Sequence, residues 1–212
     1  MIQVNNVTKQ FKTQLVLNGI SVNYEAGKIH GIIGRNGSGK TVFLQLLCGL
    51  MRPTSGTVAV GGKVLGEDVD FAPDTGIIIE NPSFLAYKSG YGNLKDLAAI
   101  QNRIQKQEIV DAMNQVGLDA SSRKRVGKYS LGMRQRLGIA QAIMEHPKLL
   151  ILDEPMNGLD AQGLEDIREL LRGLKAGGTT ILLASHNPDD IETLCDTVCQ
   201  IQDGALRKVS GW

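Results

Sequence analysis

Three cysteines are all this chain of 212 residues contains, Cys48, Cys195 and Cys199. They lie in apolar segments and lack metal-ligand spacing, which excludes a disulfide scaffold or a thiolate-bound zinc and predicts buried thiols in a reducing cytosol. Aromatic residues are only 4% of the chain, too few for a platform on which successive nucleic-acid bases stack. Neither sign of charge is in excess. Lys and Arg number 23 against 22 for Asp and Glu, so no strongly basic surface for nucleic acid or anionic lipid is expected. No apolar run approaches the roughly 18 residues of a membrane-spanning helix. The N-terminus Met1-Ile2-Gln3-Val4-Asn5-Asn6 has neither a basic start nor a long apolar stretch and does not read as a signal peptide. Internal repeats and low-complexity tracts are also lacking.

What is present is a hydrophobic fraction of 42%, enough for a sizeable core, in a length that suits one α/β domain or one domain with a small insertion. Its organising stretch is Gly34-Arg35-Asn36-Gly37-Ser38-Gly39-Lys40-Thr41, which reads G-x-x-x-x-G-K-T. Glycines let a backbone wrap closely around a polyphosphate so that successive N–H groups face its oxygens. Lys40 supplies a positive charge toward the β- and γ-phosphates, and Thr41 a hydroxyl for Mg²⁺. Residues 28–33 form an apolar run of strand length, and residues 42–50, beginning at Val42, continue as an apolar helix pattern. A strand entering the loop and a helix leaving it put the positive end of a helix dipole behind the phosphates.

Residues 2–8 and 15–24 alternate apolar and polar and read as antiparallel strands. Phe11 falls in the intervening loop, either to stack on a nucleotide base or to pack locally; spacing does not separate the two. Residues 57–60 read as a short strand before the hairpin turn Gly61-Gly62. Residues 76–79 read as a buried strand, broken by Asn81-Pro82-Ser83. From residue 81 to 146 strand signals are scarce and apolar residues recur at helical spacing (Leu94, Leu97, Ala98; Ile109, Met113, Val116), with Gly117 as a helix stop. Arg123-Lys124-Arg125 reads as a solvated face rather than a phosphate contact. A helix from Ser130 to about His146 precedes Leu149-Leu150-Ile151-Leu152, a run expected of a parallel strand buried on both faces. Residues 162–174 are an amphipathic helix and 180–184 another buried strand. Asn187-Pro188-Asp189-Asp190 then opens a helix with cap, proline and first-turn acids in order. Strands alternating with helices predict a mostly parallel sheet.

The second of these buried runs ends in Asp153-Glu154, at the carboxyl end where α/β sheets place ligands. Asp153 is suited to Mg²⁺, directly or through water. Glu154 is suited to orient or deprotonate a water. His186 follows another buried strand and can reach a γ-phosphate. His30, inside a strand, and His146, before a proline, read as structural.

At this point the chain resembles the nucleotide-binding subunit of an ATP-binding cassette (ABC) transporter. Beside the phosphate loop and the strand ending in Glu154, the resemblance rests on Tyr129-Ser130-Leu131-Gly132-Met133-Arg134-Gln135-Arg136, on Asn157-Gly158-Leu159-Asp160 and on His186. It implies a phosphate-loop NTPase core with a mostly parallel sheet, an antiparallel β subdomain at the N-terminus, and a helical insert. A single ABC ATPase domain would span 1–212, with 1–80 and 147–212 forming the core and 81–146 the helical subdomain. It implies a transport-coupled ATPase using ATP and Mg²⁺, with Lys40, Glu154 and His186 catalytic and Thr41, Asp153 and Glu80 at the metal. The residues implied to contact ATP are Phe11, as the adenine-stacking aromatic, Gly34 to Val42, Ser130, Gly132 and Asp160. Two copies would sandwich two ATP molecules head to tail, each between one copy's phosphate loop and the other's Ser130 to Gly132. With no span of its own and no nucleic-acid partner, the chain would sit on the cytoplasmic face of the membrane beneath separate permease subunits; an ABC-type ATPase uncoupled from transport is the alternative.

Two departures from the family pattern stand out. Leu131 and Met133 replace the first glycine and the glutamine of Leu-Ser-Gly-Gly-Gln, while Ser130 and Gly132 remain. Glu80 occupies the place of the usual Q-loop glutamine, adding a carboxylate near Mg²⁺ and repulsion toward phosphates. The pairing of Ile79-Glu80-Asn81-Pro82 with Ser130 to Arg136 resembles the branch exporting bacitracin and lantibiotics. Members often continue into a C-terminal extension, whereas the last strand signals here run almost to Trp212.

Overall fold

The computed structural model describes residues 1–80 and 82–209. Asn81, part of the break read above, and the terminal Trp212 lie outside them. The elements in order are β1 (Ile2–Phe11), β2 (Gln14–Tyr24), β3 (Ile29–Ile33), α1 (Lys40–Cys48), β4 (Ser55–Val60), β5 (Lys63–Val64) and β6 (Thr75–Ile78). There follow α2 (Gly90–Gln101), α3 (Lys106–Gln115), a 3₁₀ turn (Val126–Lys128), α4 (Leu131–Ile143), β7 (Leu149–Asp153), α5 (Ala161–Ala176), β8 (Thr180–Ala184), α6 (Pro188–Leu194), β9 (Thr197–Gln202) and β10 (Ala205–Val209).

Two sheets organise the chain. The alternating N-terminal segments pair as expected in an antiparallel sheet of order β2-β1-β4-β5. Its β4–β5 connection is Gly61-Gly62, both at positive φ (60° and 81°), the conformation a two-residue hairpin needs and glycine supplies without strain. The second sheet has the order β10-β9-β3-β8-β7-β6. Its pairs from β9 to β6 are parallel, and β10 runs antiparallel on β9.

The parallel strands are near-continuous apolar runs because both faces are covered. On β7, Leu150 and Leu152 turn into one core with residues of α2 to α5, such as Leu94, Met113, Leu137 and Leu171. Leu149 and Ile151 turn into the other, shared with Phe43, Leu44 and Leu47 of α1 and Ile2, Val4 and Val7 of β1. The helix leaving the phosphate loop is therefore clamped between the two sheets. The described residues between β6 and β7 carry helices and no strand, and their apolar faces join the first core.

Four local expectations are corrected. Phe11 is not in a loop: it ends β1, paired with Gln14, because the hairpin turn is shorter than the polar run suggested. Residues 76–79 are not a fully buried strand: β6 is the sheet edge, with Gly76 and Ile78 buried and Ile77 half-buried. The helix after Ser130 stops at Ile143, and His146 takes a left-handed φ of 51° instead of continuing it. Of the cysteines, all free, Cys48 and Cys199 are buried but Cys195 is only half-buried. Even so, desolvation pushes the Cys195 thiol up to about 12, which makes it a poor nucleophile.

Candidate nucleotide site

The loop between β3 and α1 is shaped by close approach. A Cβ on Gly34 would lie 2.5 Å from Ser38 Oγ and 2.6 Å from the carbonyl of Ile201, so only glycine lets the loop rest on β9. Gly39 caps α1 at φ 100°, a conformation that strains any residue with a Cβ. Lys40 is buried and curls back, its Nζ donating to the carbonyls of Gly34 at 2.7 Å and Arg35 at 3.4 Å. An ammonium has three donors, so one remains for an anion in the loop. Ser38 Oγ is buried without a hydrogen-bond partner among the described residues.

Three contacts assemble the rest. Thr41 Oγ1 donates to Asp153 Oδ2 at 2.6 Å, joining the first turn of α1 to the end of β7. Glu154 then leaves the strand at φ 50°, while its N–H still donates to the Ala184 carbonyl at 2.9 Å. This kink turns the carboxylate toward the neighbouring strand end, where Glu154 Oε2 lies 2.7 Å from His186 Nδ1. A cavity of about 860 Å³ brings together Asn36, Gly37, Gly39 to Val42, Glu80, Asp153 and Glu154. A second of about 600 Å³ adjoins it, sharing Asn36 and Glu154 and adding Gly34, Arg35 and His186. Glu80 adopts a left-handed φ of 62° at its rim. No group of three or more His, Cys, Asp or Glu among the described residues is close enough to hold a metal, so protein carboxylates alone do not form a cage here.

Four expected residues lie apart. Phe11 is 42% exposed with Lys9 Nζ 5.0 Å from its ring centre, and it does not line the cavity. Ser130 caps α4, its Oγ accepting from the Met133 N–H at 3.2 Å. Gly132 faces the Gly158 carbonyl; a Cβ there would sit 2.9 Å away. Asp160 caps α5 through the Gly163 N–H at 2.9 Å. These last three do not line their own chain's cavity either, although Leu131, between two of them, does.

Several site residues were not legible as such. Gln135 is buried on α4 and its Nε2 donates to the Glu154 carbonyl at 3.4 Å. Asn157 lines both cavities. Gln135 sits one helical turn after Leu131, a spacing that puts both on one face. Nothing in the sequence near Asn157 distinguishes it from a turn former.

Comparison with known proteins agrees with this geometry. The family model described as ABC transporter matches residues 17–157. The ABC transporter ATP-binding protein YybJ of Bacillus subtilis (strain 168) is 42% identical over 97% of this chain and 94% of its own length. The bacitracin transport ATP-binding protein BcrA of Enterococcus faecalis is 42% identical over 97% of this chain and 68% of its own. The lantibiotic transport ATP-binding protein SrtF of Streptococcus pyogenes is 36% identical over 97% and 89%. Among solved structures, a dimeric post-hydrolysis state of the ATP-binding cassette MJ0796 bound to ADP and Pi superposes with a TM-score of 0.88 over both whole chains at 22% identity, which speaks to the fold. With the phosphate loop, the acidic strand end and the histidine converging on two adjoining cavities, the chain belongs to the ABC transporter family as an ATP-binding, ATP-hydrolysing subunit.

Proposed function

We propose that this subunit drives export of a peptide antibiotic, of the bacitracin or lantibiotic kind, through separate transmembrane subunits at the cytoplasmic face of the membrane. The named relatives support the substrate class. That no helix among the described residues is long and apolar enough to cross a membrane supports the need for partner subunits.

The observation that carries the reading is the pair of contacts Thr41–Asp153 and Glu154–His186, the first in one cavity and the second in the cavity adjoining it, with Glu154 lining both. The backbone N–H groups and Lys40 of the loop hold the polyphosphate. Its narrow glycine-lined cradle, with the orphaned Ser38 hydroxyl, suits an oxyanion. Thr41 and Asp153 would hold Mg²⁺, with Glu80 on the same cavity wall as a further oxygen donor. The ion, when bound, neutralises charge on the phosphate oxygens. Glu154 takes the proton of the attacking water or orients it, and His186 holds the Glu154 carboxylate in place and reaches the γ-phosphate.

Ser130, Gly132 and Asp160 do not line their own chain's cavity, which supports their serving a second copy docked head to tail. The hydroxyl proton of Ser130 is still available for a phosphate while its oxygen caps α4. In that arrangement residues 81–146 act as the unit that carries Ser130 to the neighbouring nucleotide, and loss of the γ-phosphate releases the pair.

The test is expression with the adjoining membrane subunits in a sensitive host. Raised tolerance to bacitracin or a lantibiotic, abolished by Glu154→Gln, is the expected result. ATP hydrolysis by purified protein with no membrane partner retained and no change in tolerance would instead favour an ATPase uncoupled from transport.

A further inference from the structure

The turn bearing His186 is secured by a buried polar network that extends beyond the nucleotide cavity. Ser185, only 3% exposed, accepts the Asn187 N–H on its Oγ at 3.1 Å and donates to Asp190 Oδ2 at 3.2 Å. Asp190 is 2% exposed. Its other oxygen, Oδ1, accepts from Arg168 Nη2 at 2.6 Å and Nε at 3.1 Å. Asp190 belongs to α6, and Arg168 lies on α5, eight positions after Asp160, which is about 12 Å along the axis.

A buried ion pair is a poor device for stability alone, since its desolvation cost offsets most of the attraction and apolar residues of like volume do as well. Ile167, Leu171, Ile191 and Leu194 already fill that role around these helices. What apolar packing does not supply is direction. Both residues flanking His186 are fixed through one hydroxyl, that hydroxyl is oriented by Asp190, and Asp190 is gripped by two nitrogens of one guanidinium, a planar fork with little freedom. The imidazole that touches Glu154 is thus set relative to α5, the helix whose first turn is capped by Asp160.

We propose that Ser185, Asp190 and Arg168 are positioning residues for His186, holding its imidazole against Glu154 and tying the histidine turn to the helix that starts at Asp160. The inference rests on the reading of His186 as a participant in hydrolysis.

A double-mutant cycle on the full-length protein tests it, because a residue acting only through His186 loses its effect once the imidazole is gone. Ser185→Ala and the shape-preserving Asp190→Asn are each made in the native and the His186→Ala backgrounds, and ATP hydrolysis is measured with melting temperature as a folding control. In the native background kcat is expected to fall about tenfold, on the scale of a sub-ångström misplacement, with KM for ATP changed less than about twofold. In the His186→Ala background the further loss should stay below about twofold. An equal loss in both backgrounds, or an unchanged kcat in the native one, overturns the positioning role. If His186→Ala itself leaves kcat unchanged, the assignment of His186 fails first and the positioning role falls with it. Two variants of different chemistry keep a misfolded one from deciding the result.

Discussion

Glu154 Oε2 and His186 Nδ1 lie 2.7 Å apart, although the two residues come from different strand ends. The contact depends on Glu154 leaving β7 at a positive φ of 50°. In extended conformation its carboxylate would follow the strand's alternation, and the cost of a left-handed glutamate, roughly 1–2 kcal/mol, is offset by the surrounding ladder. Backbone strain of this kind is commonly held at reacting centres.

Glu154→Gln keeps the shape and removes the carboxylate proposed as the base. Hydrolysis is expected to drop at least about a hundredfold while ATP still binds. Size-exclusion chromatography should then reveal an ATP-trapped dimer; a variant that stays monomeric at saturating Mg²⁺-ATP means that Glu154 is not the base.

Gly39→Ala places a Cβ on a residue at φ 100°, 3.0 Å from the Leu17 side chain. Left-handed strain alone costs about 1–2 kcal/mol. Because the strain falls on the cap of the phosphate-binding helix, nucleotide affinity measured by calorimetry should weaken about tenfold. Unaltered affinity would show that the loop tolerates a different backbone path when it binds.

Glu80→Gln removes a carboxylate that shares a cavity with Asp153 and Glu154. Less repulsion toward phosphate is expected to lower KM for Mg²⁺-ATP by about two- to fivefold, the scale of one partly screened charge pair. Transport per ATP should change as well, since Glu80 opens the segment leading to the helical region. Were hydrolysis and transport both unmoved, Glu80 would have no special role.

Phe11→Ala weighs the adenine-stacking assignment. Base–aromatic stacking is worth about 1–3 kcal/mol, so KM for ATP should rise at least about fivefold. An unaltered KM would leave Phe11 as a hairpin residue shielded by Lys9.

The buried His30 supplies a pH dependence. Burial lowers its pKa, and the ring is satisfied as the neutral form between Thr197 Oγ1 at 2.7 Å and the Glu25 carbonyl at 2.9 Å. A depressed folded pKa means that the unfolded chain binds the proton first. Stability from this group is therefore complete above the ordinary histidine range and is lost as pH falls through it toward the lower folded value. Between pH 7.5 and 5.5 thermal stability should decline by up to about 1.4 kcal/mol for every tenfold by which folding weakens the imidazole's hold on its proton. His30→Gln should flatten that slope; an equally steep slope in the variant would assign it to other groups.

Much of the molecule was legible in the chain because its signals are local. The phosphate loop is a run of glycines that must bend, with a lysine and a threonine at fixed offsets. The parallel strands are runs such as Leu149 to Leu152 whose continuity reports burial on both faces, and Ser130 and Asn187 open helices whose start needs only their own next turn. Edges and ends were less legible. Whether Thr75–Ile78 lies inside a sheet or at its margin depends on the absence of a neighbour beyond it, and the hairpin that takes Phe11 into β1 is set by pairing with Gln14.

The amino-acid order alone therefore determined the groups available: a glycine-rich loop with its lysine and threonine, an Asp-Glu pair at a strand end and a histidine after another strand, each written in a few adjacent residues. Only the tertiary structure decided how they meet. Residues 41 and 153, 154 and 186, and 168 and 190 are brought into hydrogen-bond contact by strand order and helix packing, and these long-range pairings arise from burial on two faces of one sheet, which no local stretch encodes.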